Sequence, residues 1–186
     1  MEWGSVSDWF STACNAVMAG VAVYAARNAK DWLSPKLNER KFKFADELID
    51  NFCKLQQEAF YLQLEVMQLI HTLPDDQNDI PFQKECDTLF TRQLTYRRSI
   101  LFLQTGMGRM SLWGLKARNN DEFINLIKTH FDLSYAIEAS LVTWFDDGKF
   151  RIKDIYDHSM NIGGKYLKVE ELHSNIIKHY NQLFVD

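Results

Sequence analysis

Between residues 38 and 73 the sequence holds one pattern that few folds can accommodate. Ala45, Leu48, Phe52, Leu55, Ala59, Leu62, Val66, Leu69 and Leu73 alternate steps of three and four without a break. A strand puts every second residue on one face, whereas a helix puts every third or fourth residue there. Nine positions in that register predict a long helix from about Asn38 to Leu73 with a coiled-coil-like seam. An apolar seam needs a partner, so the chain must supply other helices to cover it.

Those helices are legible downstream. Pro74 to Pro81, PDDQNDIP, reads as a loop. A third helix is expected from about Phe82, where Phe82, Cys86, Leu89, Tyr96, Ile100, Leu103, Met107 and Met110 keep the register and Gln93 interrupts it. Gly106 and Gly108 are expected to weaken or kink its end. A fourth helix is expected from near Asn120, capped by Asn119 or Asn120, with Asp121 and Glu122 in its first turn. It runs to about Phe145 and stops at Asp146-Asp147-Gly148, burying Phe123, Ile127, Ile137, Leu141 and Trp144. A short helix from about Arg151 to Met160 ends before Gly163-Gly164, and a last one spans about Lys168 to Phe184. That last helix buries Val169, Leu172, Ile176, Tyr180 and Leu183. With 3 prolines and 8 glycines in 186 residues, turns are scarce, and no segment shows a useful strand period. The fold class is all-α, an antiparallel helical bundle.

The N-terminal segment departs from this pattern. Residues 9–26, WFSTACNAVMAGVAVYAA, carry no charge over 18 positions, near the lower limit for a bilayer-crossing helix. Trp3 and Trp9 stand at one edge, Tyr24 and Trp32 at the other, as in an interfacial belt. Glu2 and Asp8 precede the run while Arg27, Lys30 and Lys36 follow it, the reverse of a signal peptide. The expectation is a single-pass transmembrane helix with the N-terminus outside and the C-terminal part cytoplasmic. Pro35 is expected to end this helix, because the residue before a proline disfavours the α region. Two domains follow: residues 1–34, the transmembrane helix and juxtamembrane segment, and 35–186, the cytoplasmic bundle.

Around the circumference of that helix, Asp8, Thr12, Asn15 and Ala19 share one narrow stripe. Phe10, Cys14, Val17, Val21 and Tyr24 lie almost opposite, and Ala13, Ala16 and Gly20 form a face small enough for close backbone approach. A polar amide at Asn15 is costly in hydrocarbon and faces protein or water. Two arrangements satisfy this pattern. Either the helix is an anchor that dimerises through Ala13, Ala16 and Gly20, or a ring of such helices lines a lumen with Asp8, Thr12, Asn15 and Ala19. A third possibility is a helix lying on the membrane surface or packed in a soluble domain.

Chemistry-bearing patterns are few. The net charge of −4 argues against bulk nucleic-acid binding. Cys14, Cys53 and Cys86 are far apart and read as reduced structural thiols. The histidines at 71, 130, 158, 173 and 179 form no metal-binding spacing, so neither a metal nor a cofactor is expected. One pair stands out: Arg151 and His158, an arginine followed after six residues by a histidine in RIKDIYDH. This spacing resembles that of HEPN domains, all-α bundles of similar size. In active members such a pair cleaves RNA by acid–base and electrostatic chemistry.

The anchor at residues 9–26, the helical bundle and the Arg151–His158 pair together resemble the small membrane accessory proteins of type VI-B CRISPR systems. The resemblance implies a divergent HEPN-like fold, a homo-oligomeric pore in the bacterial inner membrane, and depolarisation of the infected cell as antiviral defence. The partners it implies are membrane lipid, further copies of the chain, and an RNA-guided effector linked by function rather than stable contact. The implied HEPN-like pair is degenerate, so the chain is not expected to be an enzyme. Two alternatives stand beside this: a membrane-tethered HEPN ribonuclease, and a non-enzymatic adaptor that brings a cytosolic partner to the membrane.

Overall fold

The structure, a computed structural model, describes residues 6–72, 80–147, 152–178 and 184–185. At 6–16, 28–34, 113, 143–147, 152–153 and 184–185 it describes the backbone alone. The chain divides into two compact units, Met1–Phe44 and Ala45–Asp186. Helix α1 runs from Val6 to His71, 66 residues with Pro35 inside it. The expected break at Pro35 is therefore corrected. A proline removes one donor and crowds the preceding turn, at a cost of about 3 kcal/mol. Helix-favouring sequence on both sides, LNERKFKFADEL downstream above all, carries the helix through.

The second unit is a four-helix bundle built from the 45–71 part of α1, α2 (Ile80–Arg109), α3 (Asn120–Asp147) and α4 (Ile152–Ile177). Cross-helix contacts fix its directions. Glu58 faces Ser99 and Arg92 pairs with Glu65, so α1 and α2 are antiparallel. Gln93 meets Ser134 and Tyr96 meets His130, which sets α2 against α3. Ser140 meets His158, and Lys165 lies 3.8 Å from Asp132, which sets α3 against α4. The result is the up-down-up-down order of a simple bundle.

The seam read from the sequence forms the core. Ala45, Leu48, Phe52, Leu55, Ala59, Leu62, Val66 and Leu69 are all buried, and Leu73 lies outside the described residues. On α2, Phe82, Cys86, Leu89, Gln93, Tyr96, Ile100 and Leu103 are buried, and Met110 just beyond it. Phe52 and Phe123 pack with ring centroids 5.3 Å apart, joining α1 to α3 through the centre. Gly106 does not break α2. A Cβ there would meet Leu48 Cδ1 at 3.0 Å, so the glycine lets α1 and α2 approach closely.

A 3-10 turn at Met110–Trp113 follows α2, and Gly114 closes it with φ 67. That left-handed conformation is costly for a side chain, and the Gly114 and Leu115 amides return to Ser111 and Met110 carbonyls. Two short strands, β1 (Lys116–Ala117) and β2 (Phe184–Val185), pair antiparallel, with Lys116 opposite Val185 and Ala117 opposite Phe184. Two residues per strand are too few to print a period-two pattern, so neither strand shows as one in the sequence.

Helix α4 corrects a second expectation. The chain was expected to break at Gly163-Gly164 into two helices, but α4 runs through both glycines to Ile177. Ile155, Ile162, Val169 and Ile176 fall seven residues apart and are all buried, so one continuous stripe holds the helix across the weak pair. Tyr180 and Leu183 lie outside the described residues. Among the described residues no helix is long and apolar enough to cross a membrane. The side chains of residues 9–16, the first part of the expected anchor, lie outside them.

Candidate functional site

Two places in the chain hold residues that a bundle alone does not require. The first is the N-terminal part of α1. Residues 17–27 are exposed throughout, including Val17 at 67%, Val21 at 61% and Tyr24 at 69%. Met18 and Val23 are exposed beside them. Large exposed apolar patches are where proteins commonly meet lipid or other proteins, which makes this stretch a candidate interaction surface. Of the stripe expected to line a lumen, Ala19 is exposed, while the side chains of Asp8, Thr12 and Asn15 lie outside the described residues. Of the small face, Ala13 and Ala16 also lie outside them. Gly20 is exposed, and a Cβ on it would meet nothing within 4 Å.

The second place is a polar cluster inside the bundle, on the seam between α2, α3 and α4. Gln93, His130 and Ser134 are fully buried. Gln93 Nε2 donates to Ser134 Oγ at 2.9 Å and to the Ser134 carbonyl at 3.1 Å. Arg97 Nε reaches the same hydroxyl at 3.3 Å, its guanidinium pairs with Glu138, and its Cζ lies 4.5 Å from the Tyr135 ring centroid. Arg97 thus belongs to a structural ion pair, leaving only Arg98 of the Tyr96-Arg97-Arg98 run exposed.

Tyr96 and His130 form the core of the cluster, with Tyr96 Oη 2.6 Å from His130 Nδ1. Burial, and to a lesser degree Glu58 and Tyr166, raise the Tyr96 phenol well above its ordinary range, so it stays protonated and donates. His130 accepts at Nδ1, which leaves its proton on Nε2, an atom with no hydrogen-bond partner among the described residues. Burial, with a smaller contribution from His173, lowers His130 to about 3. His173 is lowered as well by burial, and its Nε2 is likewise buried and unpartnered. The pair is neutral at physiological pH. Nothing local in the sequence marks His130, Ser134 or Gln93 as functional candidates. The available signal was polar side chains at apolar register positions.

The Arg151–His158 pair is only half visible, because Arg151 lies outside the described residues. His158 is half-buried, with Nδ1 2.9 Å from Ser140 Oγ. The Ser140 hydroxyl donates its proton to the Ala136 carbonyl at 3.0 Å, so it accepts from His158 Nδ1–H. The imidazole is thereby tied to the α3–α4 seam. Cys86 is buried, its thiol pushed up to about 11 by burial and then by Asp87 and Glu85, which keeps it inert. Among the described residues no group of three or more histidine, cysteine or acidic side chains is placed to hold a metal. Compared with known proteins, the chain matches no family model, no curated protein and no solved structure.

Proposed function

We propose that this chain is a membrane-associated, non-enzymatic helical protein that assembles with copies of itself, its N-terminal helices inserting together to line a pore. The observation that carries the reading is the exposed apolar surface of α1 at Val17, Met18, Val21, Val23 and Tyr24. Leaving that surface in water is unfavourable by about 25 cal/mol per Å² of apolar area, which supports its burial in lipid or against other copies.

Why a pore rather than a simple anchor follows from the helix's composition. A lone lipid-bathed helix needs apolar residues all round. This one carries Asp8, Thr12 and Asn15 along one stripe. Several copies that turn this stripe inward hydrate it in a shared lumen and give lipid only the opposite face. The low overall hydropathy of the segment is thus compatible with insertion as a group. The positive flank at Arg27, Lys30 and Lys36 favours a cytoplasmic C-terminal bundle. The resemblance to accessory proteins of RNA-targeting CRISPR systems gives the pore a role, loss of membrane potential in an infected cell.

The test is flotation of the purified full chain with anionic liposomes, followed by release of an entrapped dye. Wild type is expected to float with the vesicles and release dye. Replacing Val17, Val21 and Tyr24 by serine should abolish both. Equal flotation of that variant and wild type would overturn the membrane reading, and flotation of wild type without dye release would reduce it to an anchor.

A further inference from the structure

Helix α1 changes character just beyond its bare apolar stretch. From Arg27 to Lys43 the chain carries Arg27, Lys30, Lys36, Arg40, Lys41 and Lys43 against Asp31 and Glu39, a net +4 over 17 residues. The whole chain carries −4, so the remaining residues together hold −8. The basic block is therefore a local feature of α1 and no consequence of overall composition. Setting Lys43 against Glu47 one turn on still leaves +3. Arg27, Lys36 and Arg40 are exposed, and Leu37 and Phe42 are exposed among them.

We infer that residues 27–43 are a contact for anionic phospholipid headgroups, a basic collar that selects which membrane surface the bare stretch enters. The inference rests on the membrane reading above and adds the lipid chemistry to it. Arg27 stands three residues past Tyr24, about 5 Å along the axis, where a helix leaving hydrocarbon meets the headgroups. Helical side chains lean toward the N-terminus, so Lys36 and Arg40 reach back toward that level. Arg40, Lys41 and Lys43 stand about 20–24 Å beyond Arg27 along the axis, and screening weakens their pull on the surface within about 8 Å at physiological salt. The contribution of the collar is therefore graded, strongest at its N-terminal end.

Nucleic acid is the other polyanion that a basic block can meet. The apolar residues decide against it. Val17, Val21 and Tyr24 lead into the cations on one continuous helix, and Leu37 and Phe42 stand between them. A bilayer surface takes apolar and basic side chains next to one another, whereas a phosphate backbone gains nothing from the apolar ones. Each cation close to a negatively charged leaflet raises partitioning by about fivefold.

The test titrates the full chain, diluted from detergent, with vesicles of neutral phosphatidylcholine and with vesicles about one-third phosphatidylglycerol. Wild type should partition at least about tenfold more strongly into the anionic vesicles, and the excess should disappear at about 1 M salt. Arg27→Gln, Lys30→Gln and Lys36→Gln combined should remove most of that preference. Partitioning into neutral vesicles should stay unchanged, since glutamine keeps the helix. The same exchange at Arg40, Lys41 and Lys43 should cost less than about threefold. Equal partitioning of wild type into both vesicles overturns the inference and leaves the membrane reading standing, whereas partitioning into neither overturns both. A preference retained in the first variant, or lost only in the second, also overturns the inference. So does displacement of wild type from anionic vesicles by RNA at matched phosphate concentration.

Discussion

At the scale of single residues, the most informative positions are those where a polar side chain occupies a core site. His130 sits where the register calls for an apolar residue, fully buried, and keeps its place by accepting the Tyr96 hydroxyl proton. Its pKa is depressed to about 3 from an ordinary value of 6.5. A depressed histidine contributes stability that is present above the unfolded pKa and lost as pH falls through the window down to the folded one. The bundle is therefore expected to lose stability from pH 6.5 downward, by an amount on the order of 3–5 kcal/mol if followed to pH 3. Melts between pH 7 and 5 read this effect together with that of His173, which burial lowers as well. Replacing Tyr96 by Phe together with His130 by Leu removes donor and acceptor at once and should flatten that slope. A slope unchanged in the double variant would show that other groups drive it.

His158 leads to a different expectation. Its Nδ1–H is committed to Ser140, whose hydroxyl is committed to the Ala136 carbonyl. His158→Ala should cost about 1 kcal/mol of stability and leave any RNA-cleaving activity of the purified chain unchanged. RNA cleavage that depends on His158 would revive the ribonuclease reading. The sequence alone could name His158 but not its partner, because Ser140 lies eighteen residues earlier on another helix. It flagged Gln93 as an interruption yet could not say that Ser134, on a different helix, completes its hydrogen bonds.

Elements were most legible where apolar spacing was long and regular. The seams of α1 and α2 needed only the three-four step, and their burial follows it from Ala45 to Leu69 and from Phe82 to Leu103. Local breakers do not end a helix where tertiary packing outweighs them. Gly163-Gly164 costs about 2 kcal/mol relative to two alanines, less than the burial of Ile155, Ile162, Val169 and Ile176 around it returns. Pro35 is the sharper case, since α1 passes through it and loses one intrahelical hydrogen bond there. Pro35→Ala should strengthen that turn by up to about 3 kcal/mol. Amide exchange over residues 31–39 should slow accordingly, and exchange as fast as in wild type would mean that the turn is opened by something other than the proline.

For the whole molecule, the two units follow different physics. Ala45–Asp186 covers its own apolar seams within one chain. Met1–Phe44 leaves Val17, Val21 and Tyr24 bare, which in a water-exposed helix is a standing cost unless lipid or other copies cover them. That contrast could be read from composition, because an uncharged run of 18 residues followed by a charged, register-keeping helix marks two environments. Which side chains would line the proposed lumen could not, because that depends on how copies turn toward one another.

The most direct test is the ion current of the purified full chain in a planar lipid bilayer, wild type against Asn15→Leu. Stepwise conductance in wild type, with a changed amplitude in the variant and equal insertion of both, is the predicted result. A chain that inserts but passes no current, or one whose step amplitude is untouched by the substitution, would contradict the pore.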